Sequence, residues 1–172
     1  MNLIFTEEQL PEESFAEQMN RAADLAVTGE GLDPALCSAS ITFVSPEEIR
    51  ALNAEYRSKD AVTDVLSFPQ YEDLQKDYQQ FLAFRAALEL GDREAACFPE
   101  EEFCLGDVVI CKERAREQAL EFGHSVEREV VYLMVHSLFH LMGYDHEEEG
   151  DKIEMRAKEE AVMNALGIVR PQ

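Results

Sequence analysis

The run 130–142 is apolar on nearly every side of a helix and is interrupted only by His136, Ser137 and His140. A helix of that kind has to be wrapped by other elements, so the rest of the chain must supply layers around it. Residues four apart on a helix lie one above the other, and His136 and His140 therefore face the same point. Gly143 can take the left-handed conformation that stops a helix, which lets the chain reverse and return His146 to that point. A single histidine on an apolar helix is usually a satisfied core residue. Three of them spaced H-x3-H-x5-H are best accounted for by one divalent metal ion accepting their lone pairs, because an unpaired buried imidazole is costly.

Neutral imidazoles suit zinc. Three ligands with a fourth position open are the mark of a catalytic site, in which bound water becomes acidic enough to act near neutral pH. Asp145, beside His146, either orients an imidazole or hydrogen-bonds the attacking water, and the sequence leaves both open. His124 stands apart from this group and reads as a residue at a helix start.

The remaining elements follow from periodicity and punctuation. Residues 2–5 predict a short strand, and Phe15, Met19, Ala22 and Ala26 predict a helix ended by Gly29 and Gly31. Residues 41–44 predict a second strand. Ser45-Pro46-Glu47-Glu48 then combines a capping residue, a proline at the first helical position and a reciprocating glutamate, opening a helix through Ile49, Leu52 and Tyr56. Residues 63–68 predict a strand stopped by Pro69, and 107–111 a buried strand leading into a helix around Ala115 and Ala119. Between them, residues 70–103 form an insertion-like segment with clustered acids and a helical pattern around Phe81, Phe84 and Leu88. This order predicts one α+β domain over residues 1–172, with a small mixed sheet of about four strands packed with helices. The metal site falls at the end of the buried helix.

Fifteen lysines and arginines against thirty-six aspartates and glutamates leave a net charge of −21, which repels polyanions at long range. General nucleic-acid binding is disfavoured, and any RNA contact must come from a local cationic cleft. No stretch approaches the ~18 apolar residues of a membrane span, the N-terminus lacks a basic leader, and Cys37, Cys97, Cys104 and Cys111 form no C-x-x-C pair. The expectation is a soluble, cytoplasmic protein with reduced thiols. No heptad or self-complementary patch points to an oligomeric state.

The histidine spacing also matches the H-E-x-x-H-x-x-G-x-x-H pattern of metzincin proteases, but Ser137 stands where the general-base glutamate belongs. Amide hydrolysis would need another base, Asp145 or a glutamate of Glu147-Glu148-Glu149. A second alternative is a binding protein whose metal only braces the fold.

Four segments together resemble the YbeY family of bacterial endoribonucleases: Leu52-Asn53-Ala54-Glu55-Tyr56-Arg57-Ser58-Lys59-Asp60, Thr63-Asp64-Val65-Leu66-Ser67-Phe68-Pro69, Leu105-Gly106-Asp107-Val108-Val109-Ile110, and the histidine stretch with Gly143-Tyr144-Asp145-His146. They occur in the family's order. The resemblance implies a metal-dependent endoribonuclease specific for single-stranded RNA, acting in ribosomal RNA maturation at the 3′ end of the small-subunit RNA and in ribosome quality control. Its partners would be ribosomal RNA, the small ribosomal subunit and associated proteins. It places the metal ligands at His136, His140 and His146 and a catalytic arginine at Arg57, whose guanidinium would grip phosphate oxygens. Lys59 is a weaker candidate for phosphate contact, Asp64 and Asp107 read equally as strand-end structural groups or as functional ones, and Lys112, Arg114 and Arg116 are a secondary candidate for an RNA path, alternating charges on a helix being more often a solvated face. Val62 replaces a common proline, Ser137 a usual glycine, and the 70–103 segment is longer than typical.

Overall fold

The computed structural model describes residues 1–5, 12–91, 101–146 and 148–168. Strand β1 (Asn2–Phe5) precedes helix α1 (Glu13–Gly29), and a short 3-10 turn (Pro34–Leu36) leads into strand β2 (Cys37–Val44). Helix α2 (Pro46–Arg57), strand β3 (Val65–Pro69) and helix α3 (Leu74–Glu89) follow. Strand β4 (Phe103–Cys111) runs into helix α4 (Lys112–Phe122), and helices α5 (Val126–Leu141) and α6 (Glu149–Ala165) complete the chain. The sheet order is β1-β2-β4-β3, with β1, β2 and β4 parallel and β3 antiparallel to β4 at the edge. The described residues thus form a single α+β domain built on a four-stranded mixed sheet with six α-helices, as the alternation of elements predicts.

Successive side chains of a strand point to opposite faces, and both faces of this sheet are covered. Ile41, Phe43, Val65, Val108 and Ile110 join the main core with α1 and α5, whereas Leu66, Val109 and Cys111 pack with Ile49 of α2 on the other side. Burial on both faces is why β4 reads as an unbroken apolar run in 108–111. Strand β4 nevertheless begins at Phe103, four residues before the expected start, because Gly106 and Asp107 interrupt its apolar pattern. Strand β2 likewise begins at Cys37, with a register irregularity between Ser38 and Ser40. Leu74, Tyr78 and Phe81 of α3 lie in the main core, so the part of the 70–103 segment that is described packs against the body of the domain. Residues 92–100, with Cys97, lie outside the described residues. Burial pushes the Cys37 thiol up to about 12, which keeps it an unreactive thiol.

Gly106 fixes the edge strand. Its φ is +138°, and a Cβ there would come within 2.1 Å of the Phe68 carbonyl oxygen. Gly106→Ala is expected to lower stability by about 3 kcal/mol, since neither backbone can move without breaking the β3–β4 ladder. A urea unfolding curve of the metal-free protein checks it. An unchanged midpoint would show that the strands separate without cost.

Helix α5 is the centre of the molecule, with Val130, Val131, Leu133, Met134, Val135, Leu138, Phe139 and Leu141 all buried. It packs on α1, α4 and α6 and on β3 and β4. Among the described residues no helix is long and apolar enough to cross a membrane.

Candidate metal centre

The last two turns of α5 carry His136 and His140 on one face, as four-residue spacing requires. Beyond it, the amides of Met142, Gly143 and Tyr144 bond back to the carbonyls of Leu138, His140 and Phe139 at 3.0 Å each, with Gly143 at φ +94°. This left-handed reversal returns His146 to the helix end. One ligand atom from each of the three imidazoles lies within 4.8 Å of the others, so the triad can hold a metal ion.

Hydrogen bonds fix the tautomers of two of these rings. His136 Nδ1 lies 2.7 Å from Glu159 Oε1 and His140 Nδ1 lies 2.8 Å from the Tyr144 carbonyl. Both partners are acceptors, so each Nδ1 must carry the hydrogen, and each neutral ring presents an unprotonated Nε2. Those two Nε2 atoms are 3.1 Å apart. Two lone pairs at that distance repel unless a cation lies between them. Tetrahedral zinc with Zn–N bonds of 2.0–2.1 Å would set the nitrogens about 3.3 Å apart, so the donor set fits a divalent ion with little movement.

Burial, and then the neighbouring His136, hold the His140 pKa below its ordinary value of 6.5. The folded chain therefore resists taking up a proton that the unfolded chain accepts. Stability of the metal-free protein is expected to be at its full value above about pH 6.5 and to fall as the pH drops from there toward the lowered folded value. Thermal melts of chelator-treated protein across that range measure it. A melting temperature independent of pH over the range would mean that His140 is not held neutral.

The supports of this centre come from distant segments. Glu159 of α6 is buried and its second carboxylate oxygen accepts from the Tyr132 hydroxyl at 3.0 Å. The Tyr144 hydroxyl donates to Glu30 at 2.6 Å, and Lys158 donates to the other Glu30 oxygen at 2.7 Å while lying 4.9 Å above the Tyr144 ring. That clamp ties the His146 turn to the end of α1 and to α6. The Glu30 carboxylate raises the Lys158 pKa, and burial followed by the Glu30 contact raises that of Tyr144, so both keep their protons at neutral pH. Sequence reasoning missed Glu159, Tyr132 and Glu30. The trace of Glu159 was its place on the stripe Met155, Glu159, Val162, Met163, where every neighbour is buried and apolar.

A cleft of about 610 Å³ opens beside the triad, lined by His140 and His146 on one wall and by Arg57 and Lys59 on the other. Arg57 ends α2, whose capping box is present as expected, with the Ser45 amide donating to Glu48 at 2.8 Å. Ser58 then turns at φ +56°, the buried Asn53 holds the Ala61 carbonyl at 2.7 Å, and Arg50 grips both oxygens of Asp60 at 2.6 and 2.9 Å. The loop carrying Arg57 and Lys59 is thereby braced while both side chains stay exposed.

Of the other candidates Asp145 lines the cleft, and the rest fall elsewhere. The Asp145 carboxylate accepts from the His146 amide at 2.6 Å, which shapes the turn rather than orienting an imidazole. Asp64 is structural, accepting from the Val65 amide and Gln118 at 2.9 Å each, and Asp107 is an exposed strand residue. Lys112 covers the Phe43 ring at 4.3 Å, Arg114 and Arg116 pair with Glu117 and Glu113, and none of the three lines the cleft. Ser137 is fully buried, so the position of a metzincin glutamate points into the core. Glu147 lies outside the described residues. His124 precedes the α5 cap and lies 3.0 Å from Glu129, away from the triad.

The family model for endoribonuclease YbeY matches residues 3–167. An endoribonuclease YbeY of Clostridium botulinum is 42% identical over 158 residues, covering 92% of each chain. That of Alkaliphilus metalliredigens is 46% identical over 153 residues, covering 88% of this chain and 84% of its own. The solution structure of a Thermotoga maritima protein is similar in fold, with a TM-score of 0.58 at 24% identity over 96% of this chain and 89% of that one. A match over nearly the whole length, to proteins that carry the name of a hydrolytic nuclease, establishes that this chain belongs to the YbeY family of endoribonucleases.

Proposed function

We propose that this endoribonuclease cuts single-stranded RNA in the maturation of ribosomal RNA, at the 3′ end of the small-subunit RNA, and serves ribosome quality control in the cytoplasm. One zinc ion held by His136, His140 and His146 is its cofactor, Arg57 its phosphate-gripping catalytic residue, and the chain works as one domain including the 70–103 segment. The observation that carries the reading is the meeting, at one cleft, of the imidazoles of His140 and His146 with the exposed cationic side chains of Arg57 and Lys59, the His140 Nε2 lone pair being turned toward that of His136. When bound, the ion supplies activation of water at neutral pH and charge stabilisation at phosphorus.

The chain's own residues supply the rest. Arg57 offers a planar fork that matches two phosphate oxygens, and Lys59 adds a point charge beside it. With a net charge of −21 the remaining surface repels RNA phosphates, which confines backbone contact to this cleft. A single strand can bend a phosphate between the two walls, whereas a stacked duplex holds its backbone on a fixed path. Against an amide hydrolase stands Ser137, which offers no carboxylate and is buried away from the cleft.

Arg57→Ala, purified from a nuclease-deficient host, is expected to keep its metal and lose about 10²- to 10³-fold in cleavage of single-stranded RNA. In cells it should leave precursor small-subunit RNA with an untrimmed 3′ end. Equal cleavage by variant and wild type would remove Arg57 from the reaction. Normal RNA ends in cells carrying a metal-free, folded variant would favour the binding-protein alternative.

A further inference from the structure

A second groove, which shares His146 with the Arg57 cleft, is lined by residues of α5 and α6. A cavity of about 290 Å³ touches His136 and His146 and is walled by Tyr132, Arg156 and Glu159. Those same three residues also line a deeper cavity of about 240 Å³ that ends at Arg128, Met163 and Asn164. The two cavities adjoin at Tyr132, Arg156 and Glu159, the second lying away from the histidines. We propose that the deeper cavity is a nucleobase subsite, which receives one unstacked base of the RNA strand whose phosphate lies at the metal centre. The proposal rests on the ribonuclease reading and deepens it.

Size, chemistry and charge point to a base. Whole-ligand pockets run from about 300 to 1,000 Å³, so this cavity takes one group of a larger ligand. Met163 and the Tyr132 ring give an apolar wall, while Asn164 brings an amide that both donates and accepts, the combination that reads base edges. Arg128 lines the cavity, and guanidinium planes stack on bases. A phosphate fits poorly. Arg156 is 3.5 Å from Glu160, Glu159 is held by Tyr132 and His136, and the two carboxylates offset the two arginines around the cavity. An uncharged planar group suits such a balance. Occupation requires a base outside the stack, which gives selection for single strands a physical origin separate from backbone bending.

The test measures affinity of the metal-loaded protein for single-stranded RNA oligonucleotides in which one abasic residue is moved along the strand, with cleavage read on the same samples. One abasic position is expected to lower wild-type affinity roughly 5- to 150-fold, the usual worth of one stacked base. In Arg128→Ala and, separately, the exposed Asn164→Ala, intact RNA should bind more weakly and the abasic penalty should vanish, with metal content unchanged. The proposal is overturned if no position carries a penalty, or if the penalty is as large in both variants as in the wild type. It is also overturned if the variants change only the salt dependence of binding, which would make the occupant a phosphate. Binding with this pattern but without cleavage sinks the nuclease reading and keeps the subsite; cleavage without the pattern does the reverse.

Discussion

His140→Ala should purify with no stoichiometric metal and leave single-stranded RNA uncut, while the wild type carries one ion per chain. The effect is expected to exceed the roughly 10- to 100-fold cost of losing an outer hydrogen-bond partner, because a ligand itself is removed. His140 is the ligand to choose. Its Nδ1 is fixed by the Tyr144 carbonyl and its Nε2 faces His136 at 3.1 Å, whereas His146 is exposed on the turn. The substitution also frees the Tyr144 carbonyl, but the Glu30 contacts to Tyr144 and Lys158 still hold the turn. Circular dichroism should therefore match the wild type. Metal analysis of protein from a nuclease-deficient host gives the result directly, and retention of a full equivalent of metal would move the centre away from this triad. Loss of metal with cleavage intact would instead make the ion structural, and the activity would need another origin.

The parts of this centre that were legible in the sequence are those encoded by local spacing. The four-residue step from His136 to His140 fixes a shared helix face, and Gly143 fixes the reversal that returns His146. The capping box at Ser45 and Glu48 likewise needs only four consecutive residues to declare the start of α2. Long-range supports left almost no trace. Glu159 reads as one more charge on a charged helix until α6 is known to run back along α5, and Glu30 looks like a helix-end acid until Tyr144 and Lys158 arrive from more than a hundred residues away. Strand ends were misplaced for a related reason. Ser38, Ser40 and Gly106 break the apolar pattern that a single sequence offers, yet neighbouring strands supply their pairing. The α4 cations were misleading because charge on a helix cannot tell, by itself, whether an acid three residues away neutralises it.

Glu159→Gln tests whether the buried carboxylate tunes the metal ligand or merely fills space. A glutamine has the same shape, and its amide oxygen can still accept from His136 Nδ1, so the ring orientation survives. What disappears is negative charge behind the imidazole, which raises its basicity as a ligand. Metal affinity is expected to fall about 10- to 100-fold, or about 1.4–2.7 kcal/mol, measured by competition with a chromophoric chelator. The metal-free protein should respond in the opposite direction. Its carboxylate is only 4% exposed, and keeping an ionised group there without a cation across the ring costs desolvation energy, so the glutamine variant should be equally or more stable. A filler role predicts small changes of the same sign in both states. Opposite signs identify Glu159 as a positioning residue that trades apo stability for affinity, and a melting temperature lowered equally with and without metal would refute that role.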